Sequence, residues 1–404
     1  MRRLFNLVSG AAALVTAVAF GGGTYAQEAP KSIKVGYVTS LSGPQAAGAM
    51  LTTVPNYRLW IDEVNKAGGL MLKKYGKRIP VEAIEIDDGS KNEDMVRMVE
   101  KLMAVDKVDI VLSPWGTGPN LQAAPTFAKY GYPQIMGTAG SDKLEELVQK
   151  FPTMVWLLGK PGEQVKSLVD MMADLKKQGK INDAVAVFVV QHPFGQEYSS
   201  SLRPQLASAG FKIVYDTNYP FPPKDLSTEI KAAKAANPDT MIALSYPPDT
   251  FMLTEQAAAN DFNPKIKFLG VGVAFPSYKG KFGDKVNGIF GLGGWDPNGP
   301  GMQDYFARHK ALPANKGAEA DRWASSSTYA GLQMLQQAIE RVGEIDRAKI
   351  MQEIKTGTFK TVAGDLKLDG NRDKAAWHIG QWQGGEFYAV APANRSGAKA
   401  PLIK

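Results

Sequence analysis

Short runs of β-branched and apolar residues alternate along this chain with stretches whose apolar positions recur every three to four residues. That alternation predicts strands and helices in turn. Strands are predicted at Ile33 to Thr39, Val81 to Asp87, Ile110 to Ser113, Gln134 to Gly137, Ala184 to Val190, Lys212 to Tyr215, Thr240 to Leu244 and Lys267 to Val271. Between them, Met95, Val99, Leu102 and Met103 mark one buried helical face. Val165, Leu168, Val169, Met172 and Leu175 mark another, which stops at Gly179. Pro55 predicts a kink or a late start in the helix pattern from Ala46 to Lys66. Trp377 to Trp382 and Glu386 to Val390, around Gly384-Gly385, predict a closing β-hairpin. Strand and helix alternating in this way predict a doubly wound α/β architecture.

The first 26 residues break the pattern. Arg2 and Arg3 precede an apolar stretch, Leu7 to Phe20, which is too short for the roughly 20 residues of a membrane-spanning helix. Small residues follow up to Ala26, so the segment reads as a secretory signal peptide cleaved after Ala26. With no cysteine, the exported chain has neither a lipoprotein anchor nor disulfides to staple it. The remaining length exceeds the ~250–300 residues at which single cores stop growing, and two domains are expected. Of the formal +7 charge, Arg2 and Arg3 account for two. The remaining lysines are scattered over helix faces without a basic run, which together with export argues against a nucleic-acid partner.

In open α/β sheets ligands bind beyond the carboxyl ends of strands. The loops there are rich in Gly, Ser, Thr and Pro: 39–44, 113–120, 137–141 and 191–195. Small residues allow close backbone approach, and a hydroxyl at a helix start adds a donor where the dipole favours an anion.

The run Ile33-Lys34-Val35-Gly36-Tyr37 with Leu41-Ser42-Gly43-Pro44, the helix end Asn65-Lys66-Ala67-Gly68-Gly69-Leu70, and Asp87-Asp88 resemble the leucine/isoleucine/valine-binding family of periplasmic binding proteins. Ala123-Ala124-Pro125, Lys129-Tyr130-Gly131-Tyr132-Pro133 and Pro193-Phe194-Gly195 are similar to that family as well, so the resemblance spans nearly the whole mature chain. It implies a type I periplasmic binding fold: two doubly wound α/β lobes joined by three crossover hinge segments, with the ligand in the cleft between them. Lobe 1 would comprise 31–155 plus 290–356, lobe 2 would comprise 156–289 plus 357–392, and 393–404 would be a flexible tail. The implied function is that of the substrate-binding component of an ABC uptake transporter. It would be a non-enzymatic periplasmic monomer that needs no cofactor or metal and meets a small carboxylate-bearing ligand and an inner-membrane ABC permease. A sensory module acting on a signalling partner is the alternative, because the same fold serves both roles.

Carried over residue by residue, the resemblance implies that Thr117, beside Gly116, receives the ligand carboxylate. Thr138, Ala139 and the hydroxyl of Ser141 would complete that contact, and Phe194 and Tyr246 would close over the ligand from the second lobe. A helix cap is the alternative role for Thr117. Two positions depart from the family. Gly48 stands where some members carry an aromatic wall, and Gly272 stands where an acid would pair a ligand ammonium. Either Asp249, Asp296 or Asp321 replaces that acid, or the ligand is not an α-amino acid. Trp115, Trp295, Trp323 and Tyr329 could line a roomier pocket for an aromatic or branched acid, or could be ordinary core. No Gly-x-Ser-x-Gly, His-Glu-x-x-His or Walker motif occurs, and His192, His309 and His378 share no ligand spacing.

Overall fold

The computed structural model describes residues 28–403 apart from 297, 298 and 300, so the predicted signal segment lies outside the described residues. The first lobe opens with β1 (Ile33–Thr39), α1 (Ala46–Lys66) and a short hairpin, β2 (Leu70–Leu72) with β3 (Lys77–Ile79). It continues through β4 (Val81–Asp87), α2 (Asn92–Ala104), β5 (Ile110–Leu112), α3 (Thr117–Tyr130), β6 (Gln134–Met136), α4 (Leu144–Lys150) and β7 (Met154–Trp156). The chain then crosses into the second lobe: α5 (Pro161–Lys177), β8 (Ala184–Val190), α6 (Pro193–Ser208), β9 (Lys212–Tyr219), α7 (Ser227–Ala235), β10 (Thr240–Leu244), α8 (Pro247–Ala259), β11 (Ile266–Leu269), α9 (Pro276–Phe282) and β12 (Phe290–Leu292). It returns for α10 (Met302–Ala311), α11 (Ser325–Val342), α12 (Arg347–Thr356) and the hairpin of β13 (Thr358–Thr361) and β14 (Gly364–Lys367). A third crossing leads to β15 (Ile379–Gln383) and β16 (Glu386–Ala391).

Strand order follows from burial. β1, β8 and β10 are buried almost throughout because helices cover both faces of a parallel sheet. β9 alternates exposed and half-buried positions, as an edge strand should. The sheets run β4-β1-β5, with the parallel pair β6-β7 next to it, and β9-β8-β10-β11-β12-β15-β16, in which β15 and β16 are antiparallel. Each order reverses once, between β1 and β5 and between β8 and β10. The loops after those four strands therefore flank the crevice where such sheets bind ligands.

Several boundaries differ from expectation. Phe290–Leu292, expected to begin the first lobe's returning segment, instead extends the second lobe's sheet, pairing with β11 and β15. The hairpin 358–367, expected in the second lobe, packs Phe359, Val362 and Leu366 into the first lobe's core with Trp60 and Leu335. The tail is not loose: Lys399 N donates to Ala389 O at 2.8 Å, and Gln381 exchanges two hydrogen bonds with the Leu402 backbone at 2.6 and 2.9 Å. α1 runs through Pro55 without a late start.

Candidate ligand-binding cleft

The loop after β5 is held from within. Thr138 Oγ1 accepts Gly116 N at 3.0 Å, and Asn120 Nδ2 donates to Pro114 O at 2.7 Å and Gly116 O at 2.9 Å. Gly116, at φ +92°, is the N-cap of α3, a conformation that favours glycine. No side chain caps this end, so the cap role foreseen as an alternative for Thr117 is not the one it plays; Thr117 is instead the buried first residue of the helix. α6 begins with His192 as N-cap and Pro193 next, also without a side-chain cap. α8 begins after Tyr246, whose amide donates to both carboxylate oxygens of Asp249 at 3.0 Å.

These starts converge. A Cβ on Gly118 would sit 3.3 Å from His192 Cε1 and Pro193 Cγ, and one on Gly116 would sit 3.7 Å from both Tyr246 Oη and Gln45 Oε1. The two lobes thus meet at the N-termini of α3 and α6, beside Tyr246. Helix N-termini carry partial positive charge, so the crevice favours an anion.

An aromatic wall surrounds this point. Tyr246 lies 5.3 Å from Trp115, 5.0 Å from Phe194 (stacked), 4.9 Å from His192 and 5.4 Å from Phe221, and Trp115 meets Trp323 edge-on at 6.4 Å. Within this wall Gln45 Oε1, Trp115 Nε1, His192 Nδ1 and Trp323 Nε1 are buried without a hydrogen-bond partner, and the Tyr246 hydroxyl is approached only by the Thr117 backbone. Buried polar groups are nearly always paired, so such a cluster marks a place where a partner is to be supplied. Burial lowers the His192 pKa to about 4, which leaves the ring neutral at pH 7. Burial also pushes the Tyr246 hydroxyl well above its ordinary range, and it stays a neutral donor.

The structure brings Trp115, Gly116, Thr117, Thr138, Phe194 and Tyr246 together. Ala139 is buried against Met136, Leu144 and Trp156, so only its backbone remains for the cleft. Ser141 does not offer a free hydroxyl as expected, because its Oγ donates across the lobes to Glu197 Oε2 at 3.0 Å, joined by Asp142 N at 3.3 Å. Gln45 and Phe221 were missed. Gln45 directly follows the Gly43-Pro44 loop and could have been found there, whereas Phe221 carried no signal.

The departures from the family also resolve. A Cβ on Gly48 would overlap the Trp115 ring, so the aromatic wall comes from the β5 loop instead of the first loop, and Gly48 makes room for it. Gly272 has φ +103°, and a Cβ there would lie 2.8 Å from Pro247 Cα, so no acid fits. Asp249 is spent on the Tyr246 amide and on the Tyr219 hydroxyl at 2.5 Å. Asp321 holds the start of α11, accepting from Trp323 N at 2.7 Å, Ala324 N at 2.8 Å and the Ser325 hydroxyl. Asp296 lies beside Gly397 and Arg395.

Two α/β lobes, three crossings and a crevice at both switch points define a type I periplasmic binding fold. The chain belongs to the periplasmic binding protein family, whose model matches residues 32–386, and within it to the leucine/isoleucine/valine-binding group. A Leu/Ile/Val-binding protein homolog from Brucella suis is 23% identical over 389 residues, covering 91% of this chain and 93% of the relative. The branched-chain amino acid transporter substrate binding protein LivJ of Streptococcus pneumoniae, solved with isoleucine, superposes with TM-score 0.75 at 19% identity, covering 89% of this chain and 98% of that one. A solute binding protein of an ABC transporter from R. palustris, solved with benzoate, superposes with TM-score 0.72 at 19% identity, covering 92% and 99%.

Proposed function

We propose that this protein, exported by cleavage after Ala26, works as a monomer that captures a small aromatic or branched organic acid between its lobes and delivers it to an inner-membrane ABC permease. The observation that carries this reading is the meeting of uncapped helix starts with an aromatic wall that contains unpartnered polar atoms, while the acids nearest to it, Asp249 and Asp321, are spent on backbone amides and hydroxyls. The Thr117 hydroxyl and the first-turn amides of α3 bind the carboxylate, Thr138 holds their loop, and Trp115, Phe194 and Tyr246 enclose the apolar body. An α-amino acid would have to bury its ammonium there without an anionic partner, which costs several kcal/mol. Closure then follows from ligand contacts that only the closed lobes provide. The relatives bind either chemistry: LivJ was solved with isoleucine and the R. palustris protein with benzoate. A thermal-shift panel of benzoate, 4-hydroxybenzoate, branched-chain acids, their amides and the common amino acids tests the reading. Acids should raise the melting temperature in a saturable way and the neutral amides should not; a panel in which no acid shifts it overturns the proposal.

A further inference from the structure

The lobes also meet where the loop after β6 reaches α5 and α6. Glu197, in the second turn of α6, accepts the Ser141 hydroxyl at 3.0 Å and the Asp142 amide at 3.3 Å. The Ser141 oxygen itself accepts the Lys143 amide at 3.2 Å, which leaves its proton directed at Glu197. Asp142 reaches back in the opposite direction. Its carboxylate accepts the Gly162 amide, in the first turn of α5, at 2.8 Å, and the Ser201 hydroxyl, one turn along α6 from Glu197. Each lobe thus holds donors of the other with a carboxylate. A side chain at 162 would intrude on this exchange, since a Cβ on Gly162 would lie 3.0 Å from both Asp142 carboxylate oxygens and 3.1 Å from Ser201 Oγ.

The same loop leads to the start of α3. Three residues before Ser141, Thr138 Oγ1 accepts Gly116 N and so holds the cap residue beside Thr117. The loop is therefore fastened at one end by the second lobe, and at the other it fastens the helix start. Hydrogen bonds to a carboxylate are roughly twice as strong as neutral ones, and all four of these bridge the lobes, so opening breaks them together. Apparent affinity scales with the fraction of protein in the binding-competent state. Contacts that favour closure from outside the ligand's reach should therefore tighten every ligand by the same factor and leave the choice among ligands alone.

We infer that Glu197 and Asp142 are positioning residues that latch the closed lobes and set affinity, but not selectivity, for the acid at the α3 start; the inference rests on the cleft reading for the place of that acid. Small-angle scattering of the ligand-free mature protein and stopped-flow binding of benzoate and 3-methylpentanoate test it. Glu197→Ala should enlarge the radius of gyration and speed dissociation of either acid about tenfold, without slowing association and without changing the ratio of the two affinities. Glu197→Gln keeps an acceptor oxygen for the Ser141 and Asp142 donors and should restore most of the wild-type behaviour. Gly162→Ala approaches the latch from its other end. Alanine is the better helix former, so α5 should keep its helix while the new methyl displaces Asp142 and dissociation again quickens. A radius of gyration unchanged in Glu197→Ala, a loss confined to one of the two acids, or a lowered melting temperature with unchanged dissociation would each overturn the inference. The scattering comparison needs no ligand, so it judges the latch alone, whereas a wild type that binds neither acid counts against the cleft reading.

Discussion

At the scale of single residues, Thr117 carries the sharpest consequence. It is the first residue of α3 and Gly116 is the cap, so its hydroxyl has no structural duty that valine would lose. Thr117→Val should weaken binding of an organic acid by about 1.5–3 kcal/mol, the range for a hydrogen bond to a charged group, with an unchanged melting temperature. A lowered melting temperature with unchanged affinity would reverse the assignment. Asp249 carries a different signature. Its pKa is pushed up to about 7 by burial, against the Tyr219 hydrogen bond and the Tyr246 amide, which favour the charged form. The folded value lies above the unfolded 3.8, so the stability linked to this proton is complete below about pH 4 and is lost as pH rises through 7. His192, lowered to about 4, gives the opposite slope between pH 4 and 6.5, but an Asp249→Asn variant retains it, and subtraction isolates Asp249. In urea unfolding, the stability of wild type minus that of the variant should fall by a few kcal/mol, in order of magnitude, between pH 4 and 8. A flat or rising difference would contradict the account.

At the scale of elements, the strands were legible because parallel strands covered on both faces read as apolar runs, and β1, β8 and β10 lie within a residue of expectation. The strand-end loops were legible from their Gly, Ser, Thr and Pro content, whereas Thr117, Phe194 and Tyr246 were singled out only through the family resemblance. What could not be read was pairing at a distance. β12 is only three residues long, and its lobe is decided by neighbours β11 and β15. Ser141 looked available because nothing in its own loop reveals Glu197 on α6. The tail has no apolar period, and its hold comes from glutamine amides on β15 that pair with backbone as a neighbouring strand would: Gln381 with Leu402, and Gln383 Nε2 with Ala400 O at 2.9 Å. Gln381 is fully buried. Deleting 394–404 removes the Leu402 amide and carbonyl from Gln381, which keeps Gly288 O and Gln383 Nε2, and should cost about 1–3 kcal/mol, two hydrogen bonds at roughly 0.5–1.5 kcal/mol each. A denaturant midpoint unchanged by the deletion would show the tail to be dispensable.

At the scale of the whole molecule, the two lobes are held together at the cleft by aromatic packing around Tyr246 and by hydrogen bonds from the Ser141 hydroxyl and the Asp142 amide to Glu197. Two lobes were foreseeable from chain length and the strand-helix alternation. A carboxylate preference was foreseeable from the hydroxyls at helix starts, but whether an acid remained for an ammonium was not, because that depends on where Asp249 and Asp321 are spent. The central claim is that this cleft accepts a carboxylate and has no partner for an ammonium. Calorimetric titration with two isostere pairs, phenylalanine against 3-phenylpropanoate and isoleucine against 3-methylpentanoate, isolates that one group. The account predicts that whichever pair fits binds at least a hundredfold tighter without the ammonium, about 2.7 kcal/mol. An amino acid that binds as tightly as its des-amino isostere, or more tightly, would contradict it.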